Sequence, residues 1–389
     1  MLSLGCRLNI AESETIRAML AGRDVAVVNS CAVTNEAVKR TRAAIRRLRR
    51  ERPNAELVVT GCAAEIDPGG FRAMPEVDRV VGNLDKLKPE RWGATVAPVE
   101  RFEGHARAFV EVQNGCDHRC TFCAIPFGRG PSRSTPAGAV VERVAALVDA
   151  GHREVVLTGV DVTSYGHDLP GRPTLGMLVE RVLTFAPGLL RLRLSSLDSV
   201  EIDDRLFEIV TGEERVMPHL HLSLQAGDDL VLKRMKRRHT RAQAVATVER
   251  LKAKRTEIAV GADLIAGFPT EDEAMFANTL ALIDDCDVVH AHIFPYSPRA
   301  GTPAARMPQV EPEVRRERAA RLRERAAERK RDWLQGLVGT VQEVLVERPG
   351  DRGHAAGFAE VLVPPSPPGA IRRVRVTSAT DTNLQGVSA

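Results

Sequence analysis

The chain has 389 residues, too many for one ordinary hydrophobic core, so two or three domains are expected. Lys and Arg number 55 against 51 Asp and Glu, a formal net charge of only +4 that does not by itself mark a nucleic-acid binder, and 43% apolar residues is ordinary for a globular protein. No apolar run approaches the roughly 18–20 residues of a membrane span, and Met1-Leu-Ser-Leu-Gly-Cys6 lacks the regions of a signal peptide, so a cytoplasmic protein with no membrane partner is expected.

Residues 1–95 alternate strand and helix. A short apolar start reaches Cys6, with only four residues before Gly5, and a helical stretch follows over 11–21. Residues 25–28 read as a buried strand running into Asn29-Ser-Cys31. Thr34-Asn-Glu36 offers capping chemistry for a long basic helix that ends at Pro53. In it, eight of the fourteen residues from Lys39 to Arg52 are basic, which reads equally well as a solvated face or as an RNA contact. Residues 57–60 form the next strand, ending in Gly61-Cys62. This is a parallel-sheet α/β pattern, and its three cysteines each follow a strand. In open α/β sheets those carboxyl ends lie along one edge, where ligands bind.

Within a domain expected over 106–310, residues from about Ala108 to Pro295 repeat a strand–loop–helix unit six times. The strands are expected at 109–113, 155–158, 190–195, 220–224, 258–265 and 289–294, with helices between them, for example over 136–150, 241–253 and 271–284. Six units fall short of the eight of a closed barrel, so a partial (β/α)6 barrel is expected, with its active site in the loops after the strands. Those loops hold Cys116–Cys123, Gly159-Val-Asp161, Ser196 and Gln225. A second basic cluster runs from Lys233 to Arg241. Residues 311–335, rich in Arg, Glu and Ala, read as a connecting helix with many charge pairs four apart. Residues 336–389 turn to short strands at 339–347, 357–363 and 371–377 between Gly/Pro turns, a small β-barrel module. Cys286 stands apart from the other six cysteines and reads as a small hydrophobe.

Cytosolic thiols stay reduced, so the two sets of three, Cys6/Cys31/Cys62 and Cys116/Cys120/Cys123, read as ligands rather than disulfides. A structural zinc site closes on four ligands, and His118 inside the second loop leaves zinc open as an alternative. A 4Fe–4S cluster on three thiolates keeps one iron free to bind something else, which makes it a chemical site.

Cys116-Asp-His-Arg-Cys120-Thr-Phe-Cys123 at the end of the first barrel strand resembles the radical S-adenosylmethionine (radical-SAM) superfamily. There the open iron chelates S-adenosylmethionine, whose reductive cleavage yields a 5′-deoxyadenosyl radical. The resemblance implies that Phe122, Gly159, Ser196 and Gln225 cradle that cofactor. Gly5-Cys-Arg-Leu-Asn9, Asn29-Ser-Cys-Ala-Val-Thr34 and Gly61-Cys-Ala63 narrow it to the methylthiotransferases. In that family such cysteines hold a second 4Fe–4S cluster that delivers sulfur. The C-terminal module resembles a TRAM domain, an RNA-binding β-barrel. The loop from Gly115 to Arg133 looks most like the branch acting on threonylcarbamoyladenosine just 3′ of the anticodon. Other branches act on isopentenyladenosine in tRNA or on a ribosomal-protein aspartate. Ala11 and Met235-Lys-Arg-Arg-His239 depart from the family pattern without removing a ligand.

The resemblance implies two 4Fe–4S clusters, S-adenosylmethionine, a tRNA anticodon loop, an electron donor of flavodoxin or ferredoxin type and a sulfur source. One S-adenosylmethionine would methylate a sulfur on the Cys6/Cys31/Cys62 cluster, and a second, cleaved at the other cluster, would activate carbon 2 of adenine. Arg129, Arg133, Arg237 and Arg238 are candidate phosphate or substrate contacts, each equally plausible as a structural ion-pair partner, and Asp161 is a candidate for orienting substrate or cofactor. Aromatics are only 4% of the chain, so arginine planes are expected to share the stacking of unpaired bases. The opposing reading is an RNA-binding protein with structural metal.

Overall fold

Val25–Ser30 and Glu56–Gly61 each bury all but their first side chain, as strands at the centre of a sheet do. They pair in parallel from Val25↔Glu56 to Ser30↔Gly61. Leu2–Ser3 adds at one edge and Arg79–Val80 at the other, completing a four-stranded parallel sheet. Thr34 caps the basic helix Asn35–Glu51 by accepting the Ala37 N–H. The first helix spans Arg7–Met19 and so begins four residues before the expected position, directly after Cys6. Asn9 explains the early start, because its amide donates to the carbonyls of Leu4 and Ser30 and locks the first turn against the sheet. The computed structural model describes residues 1–94, 102 and 104–389; the expected domain end at residue 95 lies outside them.

Six parallel strands follow: Ala108–Glu111, Glu154–Thr158, Arg191–Leu194, His219–Gln225, Ala259–Ala266 and Val288–Pro295. The first three and the last three pair in sequence order, and bridges at Leu192↔Val216 and Leu197↔Leu222 join the halves into an open arc. Helices Ala137–Asp149, Leu175–Phe185, Asp204–Gly212, Arg241–Lys254 and Glu273–Asp285 lie between them. Successive strand residues point to opposite faces. Leu192, Leu194, Leu220, Leu222 and Leu224 join one apolar cluster under the helices. The alternate positions carry Glu154, Arg193, His219, His221 and Asp263, so the inner face is polar. Cys286 is fully buried in the outer cluster, where burial pushes its thiol up to about 12.

Helix Pro312–Gly336 lies along the last barrel strand and delivers Trp333 and Leu334 to the C-terminal core, so it is more than a connector. The C-terminal module is a closed barrel of five strands, Val341–Glu347, Arg352–Ala355, Glu360–Leu362, Ile371–Ala379 and Leu384–Ser388. Arg352–Ala355 and Leu384–Ser388 carry Arg, Gly, His, Gln and Ser, which hide them from a β-propensity reading. The module is tied to the larger barrel through Arg193, whose guanidinium donates to the carbonyls of Ala355 and Ala356, each at 2.9 Å.

Candidate active site

The loop Gly115–Cys123 hangs between the short strand Gln113–Asn114 and the helix Ile125–Arg129. Gly115 has φ +75°, and a Cβ there would lie 1.9 Å from the Pro131 carbonyl oxygen. Only glycine lets the loop close at its base, where the Cys116 N–H donates to the Gly130 carbonyl at 3.1 Å. A turn from the Cys123 N–H to the Cys120 carbonyl, also 3.1 Å, closes the backbone between the two cysteines. Thr121 pins the middle of the loop to the far side of the barrel, giving its N–H to Met235 and its hydroxyl to Arg234. Phe122 packs with Ala226, Phe268 and Tyr296, so it serves as an apolar anchor beside the loop.

In the N-terminal sheet, Cys31 directly follows the second strand, and Cys62 opens the helix Cys62–Ile66 that follows the third. Gly5 brings Cys6 to them, since its φ is +99° and a Cβ there would lie 2.8 Å from the Cys31 Sγ. Cys6 and Cys62 both act electrostatically on Cys31, and Cys62 acts on Cys123. A Cβ at Gly128, five residues past Cys123, would lie 3.1 Å from the Cys62 Cβ, so the two trios approach each other across the boundary between domains.

The donor chemistry fits clusters. Burial and then the neighbouring Asp161 push Cys116 up to about 12, and burial pushes Cys123 up to about 11. Burial also raises Cys31 and Cys62. Such thiols stay protonated at neutral pH until a metal displaces the proton. A single zinc at about 2.3 Å from each sulfur would draw its thiolates within about 4 Å of one another. Among the described residues neither trio has all three Sγ atoms within 4.8 Å of one another. A cubane binds each thiolate to a different iron and spreads them wider. A single ion held by the three thiols of either trio has no geometric support, whereas Cys116, His118 and Asp161 do bring their ligand atoms within 4.8 Å of one another, so zinc on a mixed set that includes His118 stays open on geometry.

Other expected site residues fall into two groups. Gly159 follows the second strand, where a Cβ would lie 2.6 Å from the Gln113 carbonyl oxygen. Gln225 ends the fourth strand at φ +68°, a left-handed conformation rare for a non-glycine residue, beside an irregularity in strand register. Ser196 follows the third strand and is partly buried. Asp161 accepts from Ser164 at 2.7 Å, lies 2.8 Å from His118 Nε2 and lies 3.9 Å from the Cys116 Sγ. Arg237 donates to Asp198 at 2.8 Å and lies 3.7 Å from the Cys120 Sγ. All of these border the Cys116–Cys123 loop or the strand ends beside it.

The remaining arginines differ. Arg129 is only 2% exposed, and its donors are taken by Glu12, Asn9 and Asn114, so it acts as a structural ion-pair partner with no face toward a phosphate. Arg133 is exposed and bonds the carbonyls of Arg129 and Pro131. Arg238 is half exposed and pairs with Glu201 and His118. Gln113 was not among the expected residues, yet its side-chain oxygen accepts the N–H groups of Val160 and Asp161 while its amide donates to the Gly115 carbonyl at 2.8 Å. It couples the cysteine loop to the second strand end, and no sequence spacing announces it.

Residues 110–283 match the model of the Radical SAM superfamily, and residues 1–82 match that of the uncharacterized protein family UPF0004. The open barrel and its three-cysteine loop define a radical S-adenosylmethionine enzyme, using S-adenosylmethionine and a 4Fe–4S cluster, with a second cysteine trio on an added N-terminal domain. The chain is 47% identical to the threonylcarbamoyladenosine tRNA methylthiotransferase MtaB of Rickettsia prowazekii, over 93% of this chain and 90% of that one. It is 34% identical to the protein of the same name in Bacillus subtilis, over 89% and 84% of the two chains. It is 32% identical to the tRNA-2-methylthio-N(6)-dimethylallyladenosine synthase of Ruegeria pomeroyi, over 98% and 97%. Among solved structures it resembles in fold the radical S-adenosylmethionine methyltransferase TsrM of Kitasatospora setae, with TM-score 0.52, 15% identity and coverage of 75% and 67%. This chain belongs to the radical-SAM methylthiotransferase family. No helix among the described residues is long and apolar enough to cross a membrane.

Proposed function

We propose that the enzyme converts N6-threonylcarbamoyladenosine, 3′ of the anticodon in tRNA, to its 2-methylthio derivative. The observation that carries the reading is the approach of the Cys62 end of one cysteine trio to Gly128, just past the other, across one domain boundary in a chain 47% identical, nearly end to end, to a protein named for that substrate. Carbon 2 of adenine bears an unactivated C–H bond that no side-chain base deprotonates usefully at neutral pH. The bound S-adenosylmethionine and clusters supply radical chemistry and sulfur; the chain positions them and excludes water.

In this reading Cys116, Cys120 and Cys123 hold the cluster that binds S-adenosylmethionine, and Phe122, Gly159, Ser196 and Gln225 shape its berth. Cys6, Cys31 and Cys62 hold a second 4Fe–4S cluster. Asp161 orients His118, and Arg237 sets the charge at Cys120. Arg133 and Arg238, on the accessible side of the loop, remain the candidates for RNA phosphates. A cleft of about 660 Å³ reaches Cys31 of the N-terminal trio; Arg315, Arg316 and Arg323 line it, together with Arg40 paired to Glu36, a net basic lining that suits an anionic strand. The working units are 1–95, 106–310, the helix 311–335 and an RNA-binding barrel over 336–389. An electron donor of flavodoxin or ferredoxin type, a sulfur source and a cytoplasmic setting complete the proposal.

Mass spectrometry of tRNA nucleosides from a strain lacking the gene, and from that strain complemented, tests it. The 2-methylthio nucleoside is lost in the first, with its precursor accumulating, and restored in the second. An unchanged nucleoside overturns the substrate and directs attention to isopentenyladenosine and then the ribosomal aspartate. Cys120→Ala abolishes S-adenosylmethionine cleavage while sparing the iron of the N-terminal trio; surviving cleavage overturns the assignment of the radical cluster.

A further inference from the structure

Arg7 directly follows Cys6 and opens the first helix. Its guanidinium reaches the base of the barrel lumen, 5.5 Å from the centre of the Phe358 ring and beside the charges of Arg107 and Glu154. The other arginines there are paired. Glu154 takes Arg107 at 2.7 Å, Arg193 at 2.9 Å and Arg191 at 3.8 Å, and Glu347 takes Arg107 and His354. Among the described residues, Arg7 makes no hydrogen bond or ion pair; its one contact of this kind is with the Phe358 ring. Glu154 acts on Arg7 without a direct pair and is already shared by three other arginines, so the partly buried guanidinium has no anion of its own, a cost that a ligand carboxylate would relieve.

The facing wall is polar as well. Asp263 Oδ1 lies 3.0 Å from His221 Nε2 and 3.1 Å from His292 Nδ1. The room is made by Gly261, where a Cβ would lie 2.5 Å from His221 Nδ1. His219 stacks on the Phe358 ring that Arg7 also meets, His221 lies two residues further along the same strand, and the His292 side chain is 62% exposed, so this wall is open to a ligand.

Resting on the substrate reading above, we propose that Arg7 determines specificity by receiving the carboxylate of the N6-threonylcarbamoyl group. The His221–Asp263–His292 cluster takes the hydroxyl and carbamoyl groups of the same substituent. Carbon 2 and the N6 substituent project from one six-membered ring. An adenine in the lumen whose carbon 2 faces the thiol trios can direct its N6 substituent down toward the base, where the Arg7 guanidinium meets the Phe358 ring. A dimethylallyl group offers no charge and no hydrogen bond, so it would leave the guanidinium and Asp263 unanswered. A site built to bond polar groups rejects such an analogue strongly.

The test uses the reconstituted full-length holoenzyme and two anticodon stem–loops. One carries threonylcarbamoyladenosine; the other carries its threoninamide analogue, with the carboxylate replaced by an amide. For the wild type, KM rises about 10–100-fold from acid to amide, the loss of a charge-assisted pair. Arg7→Gln, with iron content and cluster absorbance as in wild type, raises KM for the acid by a similar factor and treats the two substrates alike; Arg7→Lys restores part of the preference. A wild-type acid-to-amide ratio near one overturns the proposal, as does an iron-replete Arg7→Gln that keeps the preference. If Arg7→Gln loses iron, the wild-type ratio and Arg7→Lys decide. A wild type that methylthiolates neither stem–loop overturns the substrate reading, and this inference with it, without recourse to any variant.

Discussion

Glu12→Gln tests what holds the N-terminal domain against the barrel. The Glu12 side chain is 1% exposed, with its oxygens 2.5 Å from Lys86 Nζ and 2.9 Å from Arg129 Nη1. Asn114 approaches it at 3.3 Å, and Arg129 also donates to Asn9 at 2.6 Å. One carboxylate thus ties Lys86 and Asn9 of the sheet domain to Asn114 and Arg129 of the barrel. Burial alone would raise Glu12, yet Lys86 and Arg129 together hold it well below the ordinary carboxylate range. Removing one partner of a buried ion pair costs about 3–5 kcal/mol. Glu111 offsets part of this. Burial and then the Glu12 charge hold it above its ordinary range; in the variant the second influence is gone, so Glu111 falls back toward that range beside Arg129 and Lys86. A net loss of about 2–4 kcal/mol is expected, or a fall of about 1–2 M in urea midpoint for a domain of this size.

The assay is built into the chain. Trp92, one of two tryptophans, is buried and donates its indole N–H to the Lys86 carbonyl at 2.7 Å. In a Trp333→Phe background its fluorescence reports unfolding at this joint. The pH dependence supplies a second signature. Glu111, raised, keeps a proton that the unfolded chain releases, so its contribution declines as pH rises above about 4.5, its unfolded value. Glu12, depressed, contributes stability above that pH and loses it as pH falls toward its folded value. Glu12→Gln removes the second dependence and weakens the first. A midpoint shift below about 0.3 M with iron content unchanged, or an unaltered pH profile, refutes the reasoning.

Gly159→Ala forces a methyl group within 2.6 Å of the Gln113 carbonyl oxygen and 2.9 Å of Val162 Cγ1. The S-adenosylmethionine dissociation constant of the holoenzyme should rise about tenfold or more, as overpacking of about 1–3 kcal/mol implies; equilibrium dialysis showing wild-type affinity contradicts the assigned berth. His290 donates to the Gly357 carbonyl at 3.1 Å, and burial lowers it to about 3. A buried neutral histidine stabilises fully above its unfolded value of 6.5 and progressively less below it. Hydrogen exchange in 341–388, corrected for intrinsic rates, should therefore quicken between pH 7.5 and 5.5, by up to about 1.4 kcal/mol of opening free energy per pH unit; a pH-independent result would exclude His290 as a docking contact. Arg237→Gln removes a cation 3.7 Å from the Cys120 Sγ and should lower the reduction potential of that cluster by on the order of tens of millivolts. A potentiometric titration that superimposes on wild type would place the cluster elsewhere.

What the sequence makes legible is what local pattern controls. The six barrel strands lie within two residues of their expected limits, because β-branched apolar runs in some and strict alternation of Leu with polar residues in Arg191–Leu194 and His219–Gln225 leave few alternatives. The cysteine spacing, Thr34 as a cap and the basic helix after it are equally local. Contacts between charges far apart in sequence are not legible. Arg129 reads as a phosphate contact until Glu12, 117 residues away, takes its donors in a buried pair. Gln113 and Asp161 meet across 48 residues for the same reason. The lumen is an intermediate case. His219-Leu-His221 and His290-Ala-His292 alternate with the period of a strand, so a polar inner face is written in the sequence, but its junction with Arg7 and Phe358 exists only after three domains assemble.

The two joints between domains are built alike. At one, Glu12 lies between Lys86 and Arg129; at the other, Glu154 lies between Arg107 and Arg193, whose far ends reach Glu347 and the carbonyls of Ala355 and Ala356. Buried ion pairs are weak sources of stability compared with apolar packing of the same volume, so their use at both joints calls for another explanation. Apolar faces tolerate sliding, whereas a carboxylate shared by two cations and several oriented dipoles is satisfied in one register only. In the proposed reaction a group passes from the Cys6/Cys31/Cys62 trio to a substrate activated near Cys116/Cys120/Cys123 and so crosses the first joint, where a displacement of about 1 Å is enough to cost two orders of magnitude in rate. On this argument Glu12→Gln should impair methylthio transfer more than it impairs S-adenosylmethionine cleavage, since cleavage needs only the barrel while transfer needs both sides of the joint held in place. Equal losses in the two reactions would show that the ion pair supports the fold without setting the distance between the trios.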